Sequence, residues 1–232
     1  MGLRLFFSFL LFACTVPAQD LLQRYFEANA AQTAELRDVH MEMDFDARLP
    51  KLKKVGHMTG LRFVSSTGRV AFVVKSITGD DSVKKHVIAR YLAGEQENSE
   101  KPMDVSISEK HYKFKYKRTI EQDGRQVQIF EVNPRKKRVG LYKGELWIDE
   151  ETALPVREVG QFSKSPSPLF LKKVRFDRLY SIADRVSRPI RIESVIETRI
   201  AGKAEITINY SNFAPGGQPE SAEPEVAASQ PR

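Results

Sequence analysis

The sequence predicts an α+β protein dominated by an antiparallel sheet, and three observations lead to this fold class. Many segments alternate apolar and polar residues, as residues 39–46 do, which is typical of strands with one buried face. Two other segments, residues 20–36 and 79–92, carry apolar residues at helical spacing. Tight-turn pairs at 123–124 and 201–202 join consecutive strands, so we expect hairpins and an antiparallel meander.

The first eighteen residues have the pattern of a secretory signal peptide. Arg4 precedes an apolar run of about ten residues, too short to span a bilayer, and small residues then lead to a cleavage site between Ala18 and Gln19. We therefore expect export to a bacterial-type periplasm. An alternative is lipidation at Cys14, because residues 11–14 resemble a lipobox, although Phe12 is large for its position there.

Composition places the rest of the chain in one globular domain, residues 19–213. The protein has 232 residues, 41% of them hydrophobic, and its single cysteine lies in the leader, so we expect no disulfide. Residues 214–232 are rich in Pro, Gly, Ser, Ala and Glu and are predicted to be a disordered tail.

Two helices are predicted. The first has Asp20 as its N-cap and a stripe made of Leu22, Tyr25, Phe26, Asn29, Thr33 and Leu36. The second begins near Gly79 after a Thr78 cap, with residues 94–101 as a polar exit. Each stripe needs an apolar surface to cover.

Strands are predicted over most of the remaining chain. Three of them, residues 39–46, 54–64 and 69–76, lie between the helices. The others are predicted at residues 112–116, 126–132, 141–148, 154–159, 170–180, 191–200 and 204–210. Trp147 is expected to be partly buried in its hairpin.

A search for reactive or metal-binding patterns finds none, so we predict no enzyme, no metal and no cofactor. The four histidines lack ligand spacing, and no nucleophile elbow, zinc-protease motif or phosphate loop occurs. Three consecutive acids, residues 149–151, are predicted to be a solvated hairpin turn.

The net charge of +7 favours anionic partners. Lysines at 113, 115 and 117 alternate with Tyr112, Phe114 and Tyr116, so the lysines and the aromatic residues lie on opposite faces of the strand. This pattern is typical of a solvent-exposed face above a core and not of a surface on which aromatic residues stack with bases. We therefore expect no nucleic-acid partner, and peripheral contact with an anionic membrane surface remains open.

One hairpin carries a family resemblance. Residues 140–149, GLYKGELWID, resemble the pattern G-L-[FY]-x-G-x-[IL]-W-[IV]-D of the LolA-like outer-membrane lipoprotein-sorting superfamily, and most closely its uncharacterised envelope branch. Residues 132–137 (VNPRKK), 163–167 (SKSPS) and 204–210 (AEITINY) resemble flanking segments of that family. The chain departs from the family at residues 168–170 (PLF) and 184–189 (DRVSRP).

The resemblance implies a strongly curved antiparallel sheet, a half-open barrel, with helices covering its concave face. It further implies a periplasmic carrier, here a LolA-like lipoprotein-carrier domain, for lipoprotein acyl chains or another lipid. The alternative on the same fold is an envelope protein-interaction or stress-sensing scaffold. We expect a monomer.

The expected ligand groove lies between the two helices and an apolar sheet face. Its candidate lining consists of Met41, Met43, Phe45, Phe63, Phe72, Tyr25 and Phe26. The same residues, taken one by one, fit an ordinary filled core better, and the sequence leaves that alternative open.

Overall fold

The protein is built on one ten-stranded antiparallel sheet. The computed structural model describes residues 17–100, 104–165, 171–198 and 202–216. The strands are β1 (Val39–Leu49), β2 (Lys54–Val64), β3 (Val70–Gly79), β4 (Tyr112–Gln122), β5 (Arg125–Pro134), β6 (Tyr142–Asp149), β7 (Pro155–Phe162), β8 (Leu171–Ala183), β9 (Val186–Thr198) and β10 (Lys203–Pro215). The helices are α1 (Ala18–Glu35), α2 (Asp81–Val83) and α3 (Ala89–Glu100), with a π-helical turn (Lys84–Ile88) between the last two and a 3₁₀ turn (Pro50–Leu52) after β1.

The sheet is open, because its strand order is β3-β2-β1-β10-β9-β8-β7-β6-β5-β4 and the two end strands do not pair with each other. Every sequential pair of strands is a hairpin neighbour except β3 and β4, which form the two edges of the sheet. Strand β1 also pairs with β10, which joins the first three strands to the other seven. This confirms the predicted α+β class and the half-open barrel with helices on its concave face. Residue pairs that lie opposite each other in this register share a face of the sheet.

Local sequence sets the hairpins. Asp123 and Gly124 both have positive φ, as the predicted two-residue turn between β4 and β5 requires. Asp184 and Arg185 also have positive φ, so a second two-residue turn joins β8 to β9 where the chain departs from the family pattern. Strand β9 therefore begins at Val186, five residues earlier than predicted.

Helix α1 differs from its prediction at both its start and its buried face. It begins at Ala18, Asp20 lies inside the first turn, and no side chain caps it. The fully buried residues are Leu21, Tyr25 and Gln32, whereas Thr33 is exposed. The sequence contains two adjacent stripes one residue apart, and only the sheet beneath decides which one faces it.

The second helical segment starts and ends later than predicted. Its N-cap is Asp80 and not Thr78, because the Asp80 carboxylate accepts a hydrogen bond from the Ser82 backbone N–H at 2.8 Å. Thr78 instead belongs to β3, where it pairs with His57. The predicted polar exit is helical as far as Glu100. No described helix is both long and apolar enough to cross a membrane.

Two separate cores hold the helices against the concave face. The first core lies under α2 and α3 and contains Met41, Met43, Phe45, Ala47, Leu49, Met58, Val83, Ile88, Ala204, Ile206, Ile208 and Tyr210. The second lies under α1 and contains Leu21, Tyr25, Tyr112, Phe130, Val132, Leu141, Tyr142, Leu146, Ile148, Ala153 and Phe176. Each helical segment thus covers one flank of the sheet.

The described chain ends in a longer strand than expected. Ala214 and Pro215 pair with His40 and Val39, so β10 continues two residues past the predicted start of the tail. Residues 1–16 of the leader, including Cys14, residues 101–103, 166–170 and 199–201, and the tail from residue 217 lie outside the described residues.

Candidate functional site

A single row of side chains across the concave face shows where the sheet is left uncovered. Each residue in it lies opposite the next in the strand register: Phe45, Ile208, Ile192, Arg178, Glu158, Leu146 and Phe130. The two ends of the row are fully buried in the first and second cores. In the middle, Ile192 is only partly buried and the Arg178 side chain is 34% exposed. Coverage is therefore incomplete at the centre of the sheet, between the two cores. It is also incomplete at the edge strands, where the same row continues to the exposed Ile77 and Tyr116.

We call Arg178, Tyr180 and Ile192 the central strip. It lies on β8 and β9, and all three side chains are partly exposed although both strands have neighbours on each side. On one side, Arg178 lies over the ring of Phe176, which belongs to the second core together with Tyr25 of α1. On the other side, Ile192 packs against the first core, as Tyr91 of α3 does. The strip therefore lies between the core under α1 and the core under α3.

An ion pair lies in the central strip. Arg178 Nη1 lies 3.3 Å from Glu158 Oε2. Burial, followed by the nearby Glu158, raises the pKa of Tyr180, which lies on the same strand as Arg178. Although burial opposes the charged form of Arg178, Tyr180 and Glu158 raise its pKa, so the guanidinium stays charged. The Phe176 ring lies beneath it, with Cζ 4.5 Å from the ring centroid. Removing either charge would leave its partner unpaired in a low-dielectric site.

Tyrosine is the characteristic residue of the interior. Six of the seven tyrosines have pKa values raised above the ordinary value, with burial as the largest cause, namely Tyr25, Tyr91, Tyr112, Tyr142, Tyr180 and Tyr210. They are therefore neutral hydroxyl groups at physiological pH, each able to donate a hydrogen bond.

Two buried polar atoms beside the strip have no hydrogen-bond partner among the described residues. They are Arg178 Nε and the hydroxyl oxygen of Tyr142. Leaving a buried polar atom without a hydrogen-bond partner lowers stability by about 1–3 kcal/mol. The hydrogen-bonding capacity of these two atoms is therefore not fully used within the described residues.

The residues predicted to line a groove are divided between the two cores. Met41, Met43 and Phe45 are fully buried under α3, where the Phe45 and Tyr91 ring centroids lie 5.1 Å apart. Tyr25 is fully buried and Phe26 partly buried in the second core. A binding role for them stays a prediction; in this structure they pack as core.

Phe72 and Phe63 lie on opposite faces. Phe72 pairs with Arg62, which lies opposite Met41, so Phe72 is on the concave face and packs against the first core. Phe63 instead lies opposite His40 on the convex face, with ring centroids 5.6 Å apart. The alternation along β2 fixed two faces, and only the pairing with β1 shows which one points inward.

The acids predicted to form a solvated turn are largely buried. The Asp149 side chain is 1% exposed, and its Oδ1 accepts hydrogen bonds from Thr152 N at 2.8 Å and Thr152 Oγ1 at 2.7 Å. Glu150 accepts a hydrogen bond from Gln128 Nε2 at 2.8 Å. The solvated-turn prediction is wrong here because the carboxylates satisfy backbone and side-chain donors in the hairpin. Their role is structural.

A cluster on the convex face escaped the sequence search. Asp44, Asp46 and His57 place ligand atoms within 4.8 Å of one another, a group that could hold a metal ion. His57 Nδ1 already lies 3.2 Å from Asp46 and Nε2 3.7 Å from Asp44. A surface pocket of about 300 Å³ adjoins them. The β1–β2 register creates this group, so its members have no motif spacing in the sequence.

Comparison with known proteins adds similarities of fold. No protein-family model matches the chain, and no curated protein matches its sequence. Solved structures do align over most of the chain. One is a DUF1329 family protein from Desulfovibrio piger, with a TM-score of 0.45, 13% identity, and coverage of 87% of this chain and 94% of that one.

Two further solved structures carry the names of the superfamily that the sequence resembles. They are a putative outer membrane lipoprotein-sorting protein domain from Vibrio parahaemolyticus (TM-score 0.43, 15% identity, 88% and 96% covered) and LolA superfamily protein NE2245 from Nitrosomonas europaea (0.40, 13%, 88% and 96%). At such identities and TM-scores, none of these similarities assigns a function to this chain.

Proposed function

We propose that this chain is an exported, non-catalytic binding protein that carries lipoprotein acyl chains or another lipid in the periplasm. The observation that supports this proposal is the central strip, a partly exposed area on the concave face between the two buried cores. A sheet of ten strands has more concave surface than the two helical segments cover. A lipid with its acyl chain over the apolar part of the strip would extend that coverage.

The dimensions and energetics suit one acyl chain. The strip lies between β7 and β10, three strand spacings apart, so the distance between these flanking strands is roughly 14 Å. Burying about ten methylene groups there contributes roughly 8 kcal/mol, which corresponds to dissociation constants near the micromolar range. Immobilising the ligand opposes this gain.

The test is displacement of a fluorescent fatty acid from delipidated protein. Ile192→Trp fills the strip without adding charge, and we expect it to weaken binding at least about tenfold. Val195→Trp is the matched control, because Val195 lies on the same strand but opposite Arg175 and Glu205 on the convex face, and we expect its affinity within about twofold of wild type.

The outcome that rejects the proposal is the absence of saturable binding by wild type at micromolar probe. Equal loss of binding in both variants, with both folded by circular dichroism, would also place the ligand elsewhere. Mass spectrometry of lipid extracted from the gently purified protein identifies the natural ligand.

The alternative, a protein-interaction scaffold, is favoured by the edge strand β3. Its outer edge pairs with no strand in the described sheet, and Val74 and Ile77 on it are exposed. Such an edge can accept a strand from a partner. Site-specific photocrosslinking from Ile77, compared with Lys115 on the opposite edge strand β4, tests this: a partner protein captured from both positions equally would argue against edge recognition.

A further inference from the structure

We propose that the central strip recognises the carboxylate of a fatty-acid-like amphiphile, with Arg178 as the group that pairs with it. This inference rests on the proposed lipid-binding function and deepens it by naming the chemical class of the ligand. Its basis is the charge, exposure and position of the side chains in the central strip.

The strip is unsuited to a ligand made only of hydrocarbon. Arg178 lies in the same cross-sheet row as Ile192 and is one-third exposed. An acyl chain laid over this row would remove a guanidinium from water without offering it a hydrogen-bond acceptor, and such burial of a charge is strongly unfavourable. A ligand that covers the strip therefore needs an oxygen-bearing group at this point.

The exposures of the two ion-pair partners indicate the sign of that group. The Arg178 side chain is 34% exposed, whereas that of Glu158 is 8% exposed. An incoming group consequently reaches the cation before it reaches the anion. A carboxylate can accept charge-assisted hydrogen bonds from the guanidinium, which carries five N–H donors and keeps Glu158 as a second partner.

The surroundings supply further hydrogen-bond donors, and Glu158 is the carboxylate that competes for the guanidinium. Tyr180 and Tyr142 are neutral phenols, and the Tyr142 hydroxyl has no hydrogen-bond partner among the described residues. Near Arg178, Arg62 and Glu95 lie 3.5 Å apart, so their opposite charges offset each other. The apolar part of the ligand would lie along Ile192, beside the first core.

The experiment compares dodecanoate with methyl dodecanoate, which share the chain but differ in head-group charge. We expect wild type to bind dodecanoate about tenfold more tightly. Arg178→Gln should reduce that ratio to about one while keeping the affinity for the methyl ester, which also shows that the variant folds. Glu158→Gln should increase the ratio, because it removes the competing carboxylate from the guanidinium.

The two variants have opposite expected effects, which a merely structural role for the ion pair would not produce. Arg178→Lys is the substitute if the glutamine variant does not fold, and it should keep the preference for the carboxylate. Equal binding of both ligands by wild type, or an unchanged ratio in Arg178→Gln, overturns this inference while leaving lipid binding intact. If neither ligand binds, the proposed function falls together with it.

Discussion

Gly144 provides the sharpest test of the fold, because an added methyl group at this position meets backbone on the neighbouring strand. A Cβ atom built on Gly144 would lie 1.9 Å from the carbonyl oxygen of Val159 and 2.6 Å from the Cα of Gly160. Real Cβ atoms essentially never approach within 3.0 Å, so the strands must separate by at least 1.1 Å, the difference between 3.0 and 1.9. The β6 and β7 backbones therefore lie in close approach at this glycine.

The size of the effect follows from where the strands lie. Gly144 and Gly160 are opposite each other on β6 and β7, and both strands are paired on their other sides as well. Overpacking costs about 1–3 kcal/mol, and each backbone hydrogen bond lost adds about 0.5–1.5 kcal/mol. Gly144→Ala should therefore destabilise the protein by about 3 kcal/mol, which lowers the melting temperature by roughly 6–12 °C.

Thermal unfolding followed by circular dichroism measures this shift, and urea titration gives the free energy directly. Gly94→Ala is the matched control, because Gly94 lies in α3 with no heavy atom within 4 Å of the added methyl group. That substitution should stabilise the helix by about 0.5–1 kcal/mol. If Gly144→Ala melts within about 2 °C of wild type, the β6–β7 approach described here is incorrect.

Two further predictions concern carboxylates. Asp149→Ala should lower the free energy of unfolding by about 2–3 kcal/mol in urea titration, because it removes the acceptor of the two Thr152 hydrogen bonds. Glu151 in the same turn is exposed, so Glu151→Ala should change stability by less than about 0.5 kcal/mol. Similar effects of both substitutions would refute the structural role of Asp149. The hydrogen bond from the Ser82 hydroxyl, followed by Lys54, lowers the pKa of Asp80 to about 2 from 3.8, so its ionised form stabilises the folded state above about pH 4 and that contribution is lost as the pH falls towards 2. Asp80→Asn keeps a capping side chain without the titrating group, and its unfolding midpoint should approach that of wild type between pH 4 and 2; a constant difference across this range would contradict the assignment.

Strand-level structure was predictable from sequence because its signals are local. The alternation of Met41, Met43 and Phe45 identified β1 and its buried face, and the structure confirms both. Trp147 is partly buried as predicted: its indole N–H donates to Glu145 Oε2 at 3.0 Å, and Arg157 lies over the ring. The turn at Asp123 and Gly124 was equally clear. In each case the physical determinant lies within a few residues of the chain.

The errors arose where the determinant lies on another strand or helix. Thr78 resembles a helix cap in sequence, but its pairing with His57 keeps it in β3 and leaves the cap to Asp80. Tyr116 follows the alternation of Tyr112 and Phe114 and lies opposite the buried Phe130, yet its own side chain is exposed. Neither effect has a local signal.

The sequence by itself determined the fold class, the hairpin at Gly144 and the two amphipathic helical segments, since each depends on periodicity or turn chemistry. Tertiary structure alone decided how these parts cover one another. It buries Met41, Met43 and Phe45 under α3, places Phe63 on the convex face, and brings Arg178, Glu158 and Tyr180 together on the uncovered centre of the sheet. The register of the β7–β8 hairpin creates that site, because it sets which residues of the two strands lie opposite each other.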